Sequence, residues 1–430
     1  MSLDETDKTD KIDNTDRTDK TESMNATPTS SRLHIAIFGR RNAGKSSLIN
    51  ALTRQPIALV SDVPGTTTDP VSKAMELLPI GPVVIIDTAG LDDEGPLGEK
   101  RVKRTYDVLN RTDLAVLVVD GRIGLTDFED EILRRIREKG IPVAGVLNKA
   151  DVAGYTQEQR AEWEKKLDLE LIEASATTGD GIEALKTALI AKAPSDEREL
   201  SLVGDLIAPG DFVVLVVPIE KAAPKGRLIL PQQQVIRDVL DHDAMAVVTK
   251  EYELREALEH LGKKPALVVT DSQAFLKVAA DTPRDVPLTS FSILMARYKG
   301  DLVELAKGAK AVEALEPGDH VLIAEGCTHH RQSDDIGTVK VPRWLRQAVG
   351  GELQFHWATG RGLPEDLRQF KLVVHCGGCM LNRREMMYRL SQARAQGVPV
   401  VNYGVLIAYV HGILPRALEP FPAAGMVFEG

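Results

Sequence analysis

The chain has 430 residues, 43% of them hydrophobic and 27% charged, with a net charge of −10. That is enough apolar material for roughly two to four packed domains, and its acidity excludes a large sequence-independent grip on DNA or RNA, which takes clustered Lys and Arg. Aromatics at 4% leave little for base-stacking platforms, and three cysteines cannot form a disulfide framework. No run approaches the ~18 continuous apolar residues of a membrane span. The N-terminus lacks the basic-then-apolar pattern of a signal peptide, so the expected address is the cytoplasm.

Residues 1–31 are a low-complexity run of Thr, Asp and Lys with almost nothing apolar. Such a segment cannot offset its chain entropy by burial and is expected to be a disordered tail, a solvated spacer. Order begins at His34. HIAIFG is a short apolar strand ending in a Gly-rich turn, and a helix-like stretch runs from Lys45 to Leu52. Strands are then predicted at 83–87, 114–120, 141–148 and 169–175, and helices at 97–110, 127–139, 156–167 and 180–192. Apolar strands alternating with helices predict a parallel sheet covered on both faces. A polar segment, APSDEREL (193–200), reads as a linker. A second α/β pattern follows, with strands at 212–219, 244–250 and 266–271 and helices at 231–240, 251–261 and 272–280. It has no phosphate loop and no catalytic cluster, which suits a structural or oligomerisation module. The third pattern opens near Thr289 with one long helical stretch to Leu315. Strands are predicted at 320–327, 352–357, 371–377 and 399–404.

The first domain carries a nucleotide site. GRRNAGKS (39–46) has the G-x-x-x-x-G-K-S spacing between a strand and a helix. Gly39 and Gly44 let the backbone curl its N–H groups toward phosphates, with Ala43 and Ser47 completing the loop and the helix N-terminus adding positive potential. Lys45 reaches the β/γ-phosphates, and Ser46 offers a hydroxyl to Mg²⁺. The other pieces follow in order. PGTTTD (64–69) supplies Thr67 as the second Mg²⁺ ligand. DTAG (87–90) supplies Asp87 for Mg²⁺ and the Gly90 N–H for the γ-phosphate. In NKAD (148–151), Asp151 accepts from guanine N1–H and N2–H₂, Asn148 meets the other edge of the base, and the Lys149 stem lies over its face. Ser175 and Ala176 end the next strand, where the Ala176 N–H faces guanine O6. Each piece alone also reads as a turn or a helix cap. Together, in this order, they predict GTP binding and hydrolysis by a P-loop, Ras-like G domain over residues 32–195.

This half resembles the GTPases of the TrmE–Era–EngA type. Leu91 stands where Ras has its water-orienting Gln, so the resemblance implies a different hydrolytic route. Asn42 matches the P-loop Asn that coordinates K⁺ in potassium-activated members. Glu94 and Glu99 are candidates for positioning water.

All three cysteines lie in the last quarter, with three of the nine histidines beside them, as C-T-H (327–329) and H-C-G-G-C (375–379). Cys327 and Cys376 sit just past predicted strands, where open α/β sheets bind ligands. C-x-x-C brings Cys376 and Cys379 onto one metal or cluster edge, and Cys327 with His329 comes from a neighbouring strand end. Three Cys and one His close a tetrahedral Zn²⁺ site, and three Cys also hold a [4Fe–4S] cluster with one iron left for another ligand. The residues leave both open.

A G domain, a middle α/β domain and this cysteine pattern together resemble the [FeFe]-hydrogenase maturation GTPases of the HydF family, over residues from about 32 to 430. The resemblance implies a [4Fe–4S] cluster on Cys327, Cys376 and Cys379. Its fourth iron is left labile, within reach of His329, His375 or a carboxylate of SDD (333–335). It further implies a scaffold or carrier for the diiron precursor of the hydrogenase H-cluster, served by two radical-SAM maturases and delivering to the apo-hydrogenase. The middle domain, residues 196–288, would form a homodimer, and residues 289–430 would carry the cluster. The expected fold class is α/β, with a G domain followed by two further α/β domains of mainly parallel sheets. Two rivals share these motifs: a tRNA-modification or ribosome-associated GTPase, and a G-protein switch stapled by structural zinc. A redox dithiol at Cys376 and Cys379 would leave Cys327 and the histidines unexplained. His330 and His356 read as packing or surface histidines.

Overall fold

The computed structural model describes residues 27–53, 71–88, 104–194, 201–218, 228–326, 335–360 and 362–429. The expectations for residues 1–26 of the tail, for Thr67, Gly90, Leu91, Glu94 and Glu99, and for Cys327, His329 and His330 lie outside these residues; the last part of the expected tail is instead ordered, as a short 3-10 helix Thr29–Ser31 with Ser30 buried.

Three sheets stand in chain order, as the alternating pattern predicts. The first contains β1 (Leu33–Gly39), β2 (Val71–Leu77), β3 (Gly81–Asp87), β4 (Leu114–Asp120), β5 (Val143–Asn148) and β6 (Leu171–Ala174) in the order β2-β3-β1-β4-β5-β6. Only β2 runs antiparallel, against β3. Its alternation leaves most residues exposed at the sheet edge, a weak signal that the sequence reading passed over. The central strands are apolar throughout because both faces are covered. Ile35 and Ile37 pack into one core with Leu48, Val116 and Leu185, while Ala36 and Phe38 pack into another with Leu117 and Ile132. The helix Asp127–Glu138 covers the second face with Ile132, Leu133 and Ile136 and starts at a capping box between Thr126 and Glu129.

The middle sheet is parallel, β10-β9-β7-β8, from β7 (Phe212–Val216), β8 (Met245–Thr249), β9 (Leu267–Thr270) and β10 (Leu288–Ser290). A domain boundary at 288/289 therefore falls inside β10. The third sheet is also parallel, β12-β11-β13-β14, from β11 (His320–Glu325), β12 (Gln354–Thr359), β13 (Leu372–His375) and β14 (Val400–Asn402). The single helical stretch expected after Thr289 is two helices, Phe291–Lys299 and Leu302–Lys310. They break at Gly300, and the Asp301 carboxylate caps the second by accepting from the Glu304 N–H at 3.1 Å. Helix Leu302–Lys310 lies so close to β14 that a Cβ on Gly308 would stand 1.8 Å from the Val400 carbonyl oxygen.

The middle and C-terminal sheets share one apolar core. It runs from Val213, Leu215 and Val269 through Phe291, Ile293 and Leu294 to Ile323, Val374 and Val401. The G domain instead meets the C-terminal domain through polar groups. Asn382 Nδ2 donates to the Arg111 carbonyl oxygen at 2.8 Å, and Arg384 Nη1 to that of Lys139 at 3.1 Å. The Lys139 ammonium sits 4.6 Å from the centre of the Tyr388 ring. Among the described residues no helix is long and apolar enough to cross a membrane.

Candidate functional site

Strand register brings the nucleotide motifs to one edge. Ile37 pairs with Asp87, Gly39 with Val118, Asp120 with Asn148, and Asn148 with Ala174, so the loops after β1, β3, β5 and β6 leave from the same carboxyl end. Gly39 is required by close approach, because a Cβ there would stand 2.6 Å from the Val118 carbonyl oxygen. Gly44 is required twice over: its φ is +89°, and a Cβ would lie 2.3 Å from Asn148 Nδ2.

Lys45 Nζ donates to the carbonyl oxygens of Gly39 at 2.9 Å and Arg40 at 2.8 Å, which holds it inside the loop. Ser46 Oγ donates to Asp87 Oδ2 at 2.5 Å. The second Asp87 oxygen, Oδ1, is buried without a hydrogen-bond partner among the described residues, and burial pushes this carboxyl above its ordinary range despite Ser46 and Lys45. A hydroxyl and a partnerless buried carboxylate oxygen, side by side, suit a divalent cation.

In the guanine motif Asn148 also makes contacts within the protein. Its side chain is buried and spans two loops: Nδ2 donates to the Ala43 carbonyl oxygen at 2.8 Å, and Oδ1 accepts from the Ala176 N–H at 3.2 Å. In this structure it ties the phosphate loop to the base loop. Lys149 adds a second tie, donating to the Asn42 carbonyl oxygen and to Asp120 Oδ2 at 2.7 Å. Both Asn42 and Lys149 sit at positive φ, 59° and 64°, and for Lys149 this is a strained conformation held by those bonds. Ser175 Oγ accepts from the N–H groups of Thr177 and Thr178 and shapes the next turn. Asp151 is exposed at the same edge.

In the C-terminal domain, Cys376 follows β13, and its N–H donates to the Ala324 carbonyl oxygen at 2.8 Å. Two backbone amides point at its sulfur: Gly326 N at 3.1 Å and Gly378 N at 3.4 Å from Sγ. Gly378 takes a φ of +62°, which turns the loop back. Cys376 and Cys379 are free thiols, partly exposed. Burial, then the neighbouring Cys376, push the Cys379 thiol up, and Lys299 opposes them. Among the described residues no three His, Cys, Asp or Glu side chains gather as a metal site. Amides directed at a cysteine sulfur are the donor set that stabilises a ligating thiolate, so the loop fits such a ligand.

His375 is not free to be one. Its ring is buried, Nδ1 donates to the Cys376 carbonyl oxygen at 2.7 Å, and Nε2 accepts from Arg389 Nη1 at 3.1 Å. Burial and the adjacent guanidinium bring it down to about 4, so it is a neutral support behind the cysteine loop. Asp335 caps the following turn through the Thr338 N–H at 2.9 Å. His356 is exposed and stacks on His320 with ring centres 5.1 Å apart, the surface alternative of the two expected for it.

Comparison with known proteins agrees with this architecture. Residues 34–149 match the family described as 50S ribosome-binding GTPase. Residues 202–300 match the Hydrogen maturase F dimerization domain, and residues 303–420 match the Hydrogen maturase F tetramerization domain. The chain belongs to the hydrogen maturase F family. In that family frame the first unit is a GTPase domain, which implies GTP or GDP with Mg²⁺. The curated relatives match it mainly there. The tRNA modification GTPase MnmE of Chromobacterium violaceum is 40% identical over 159 residues, 37% of this chain and 34% of that protein. GTPase Der of Kosmotoga olearia is 29% identical over 214 residues, 47% of this chain and 48% of that protein. The chain thus spans about a third to a half of the length of these relatives. Aquifex aeolicus Era bound to GDP and AlF₄⁻ aligns with a TM-score of 0.36 and 21% identity, over 53% of this chain and 98% of that one.

The sequence reading missed two residues that grip the cysteine loop from outside the Hydrogen maturase F tetramerization domain. Lys299 is buried under the cysteine loop, where burial brings its ammonium down to about 8 against the pull of the two thiols. Ser30 Oγ donates to the Cys379 carbonyl oxygen at 2.6 Å, from a segment expected to be tail. Neither residue has a local motif that would reveal it.

Proposed function

We propose that the chain binds and hydrolyses GTP at the edge built by Gly39, Asn42, Gly44, Lys45, Ser46, Asp87, Asn148, Lys149 and Asp151, with Thr67 and Gly90 contributed by the intervening loops. Lys45 leaves its two carbonyl partners to meet the β/γ-phosphates. Ser46 and Asp87 hold Mg²⁺, which when bound offsets the charge that builds between the phosphates. Asn148 and Lys149 keep the phosphate and base loops in register while Asp151 reads guanine. Asn42 would hold K⁺, which when bound would supply the positive charge that an arginine finger otherwise brings.

In the C-terminal domain we propose that Cys327, Cys376 and Cys379 hold a [4Fe–4S] cluster, which when bound offers one iron without a cysteine ligand. The chain acts there as scaffold and carrier for a diiron precursor during [FeFe]-hydrogenase maturation. It works as a homodimer with radical-SAM maturases and an apo-hydrogenase as partners. The observation that carries this reading is the Cys376 loop, with two amides directed at one thiol sulfur in a domain of a hydrogenase maturase family. GTP turnover does not perform the cluster chemistry. The γ-phosphate shifts loops whose contacts a partner reads.

The test is the metal and sulfide content of anaerobically purified chain, with EPR of the dithionite-reduced sample. About four iron and four sulfide per chain, with a cluster signal lost in Cys376→Ala, is the expected result. One tightly held zinc and no iron after reconstitution would leave a zinc-stapled G-protein switch instead.

A further inference from the structure

Lys299 is the last residue of the helix Phe291–Lys299, and only 2% of it is exposed. Its Nζ donates to three carbonyl oxygens of a single loop: Gly378 at 3.2 Å, Cys379 at 3.0 Å and Leu381 at 2.8 Å. Among the described residues no carboxylate forms a salt bridge with it. A buried ammonium without a counter-charge is expensive, and three carbonyl dipoles solvate it only in part. The loop it grips is the one that presents Cys376 and Cys379. Ser30 holds the same Cys379 carbonyl from the opposite side of the domain interface.

We infer that Lys299 is the positioning residue of the cysteine site, fixing the C-x-x-C loop in its ligating shape and supplying a cation beneath the metal group. The inference rests on the cluster reading above. Three thiolates around an iron–sulfur core leave an anion that becomes more negative on reduction. A fixed positive charge beside it favours the reduced form and raises the midpoint potential. A merely structural lysine would tie the loop without moving the potential.

The experiment uses the full chain, purified and reconstituted without oxygen, as wild type and as Lys299→Met, Lys299→Gln and Lys299→Arg. Three quantities are read: iron and sulfide per chain, the rate of iron loss to a chelator, and the midpoint potential by EPR-monitored titration. Lys299→Met is expected to lose iron roughly tenfold faster, within the range seen for partners behind metal ligands, and to shift the potential downward. Lys299→Arg keeps the charge and restores the potential toward the wild type. If the Met variant does not fold, Lys299→Gln, which keeps a donor and loses the charge, gives the same readout. GTP turnover, whose machinery lies at the far edge of the first sheet, stays at the wild-type rate, and the thermal transition of the body that contains Lys299 reports on folding. Iron-loaded wild type together with unchanged chelation and potential in the uncharged variants overturns the role of Lys299 alone. Zinc without iron in the wild type overturns the cluster reading and this inference with it.

Discussion

The middle and C-terminal domains are joined by hydrophobic contact, whereas the G domain is joined to them by hydrogen bonds. The helix Phe291–Lys299 buries Phe291, Ile293 and Leu294 in a core that continues into both neighbouring sheets. The G domain keeps two cores of its own and touches its neighbour through Asn382, Arg384 and Ser30. Apolar burial scales with area and has no direction, so it welds two units into one cooperative body. A polar contact fixes orientation and adds little net stability, because water offers the same bonds to the separated surfaces. The GTPase is thus a docked unit, and the cysteine site is part of a larger fused one.

The sharpest test of that division is functional. Lys45→Ala or Asp87→Asn should cut GTP turnover by roughly 10²–10³-fold, the scale for removing one preorganised electrostatic group, while iron content stays at the wild-type level. A parallel loss of iron would break the separation. Next in size, Leu294→Ala should destabilise the fused body by roughly 2–5 kcal/mol. Calorimetry of the whole chain should show one transition moving down and a G-domain transition, identified by its response to GDP, staying in place. Movement of both together would mean a single cooperative unit.

A smaller effect is expected at the polar joint. Asn382→Ala removes the 2.8 Å donor to the buried Arg111 carbonyl and the weaker of two donors to Asp113 Oδ2, which keeps the His34 N–H, at about 1–3 kcal/mol. Hydrogen exchange should quicken around His34 and Asp113, with turnover unchanged; slowed turnover would show that docking reaches the nucleotide edge. The smallest is a pH effect confined to the G domain. Burial raises the Asp120 carboxyl, but hydrogen bonds from Arg122 and Lys149 outweigh it and hold the group at about 2. A carboxyl lowered in the folded state contributes stability above the ordinary carboxylate range and loses it as pH falls toward 2. Asp120→Asn should therefore lower the G-domain Tm at neutral pH, with the gap to wild type closing on acidification. A gap independent of pH would rule out the charge as its source.

What was legible in the sequence is what chemistry forces to be local. Phosphate binding needs Gly39, Gly44, Lys45 and Ser46 within one turn, and β4 needs an unbroken apolar run because both its faces are covered. The fold class and the strand-end placement of Asp87, Asn148 and Cys376 followed from such signals. What failed to show was long-range or weakly patterned. Lys299 and Cys379 are 80 positions apart, and Ser30 and Cys379 are 349 apart. Nothing in His375 itself tells that Arg389 occupies its second nitrogen. Asn148 has the residue type of a base reader, and only the folded loops show that its side chain also ties Ala43 to Ala176. The break at Gly300 and the edge strand β2 were lost because helical composition continues across the one and exposed side chains dilute the other.

The G domain is held by the end of its sheet that lies away from the nucleotide. Asn382 reaches Arg111, just ahead of β4, Arg384 reaches Lys139, ahead of β5, and Ser30 precedes β1. Seven residues of β1 separate that edge from the phosphate loop, about 20 Å of strand. The strands between are buried on both faces and behave as a strut more than a spring. On the proposed reading, nucleotide state would be displayed outward, like a signal flag at the tip of a fixed mast, nearer to an incoming protein than to the chain's own cysteines.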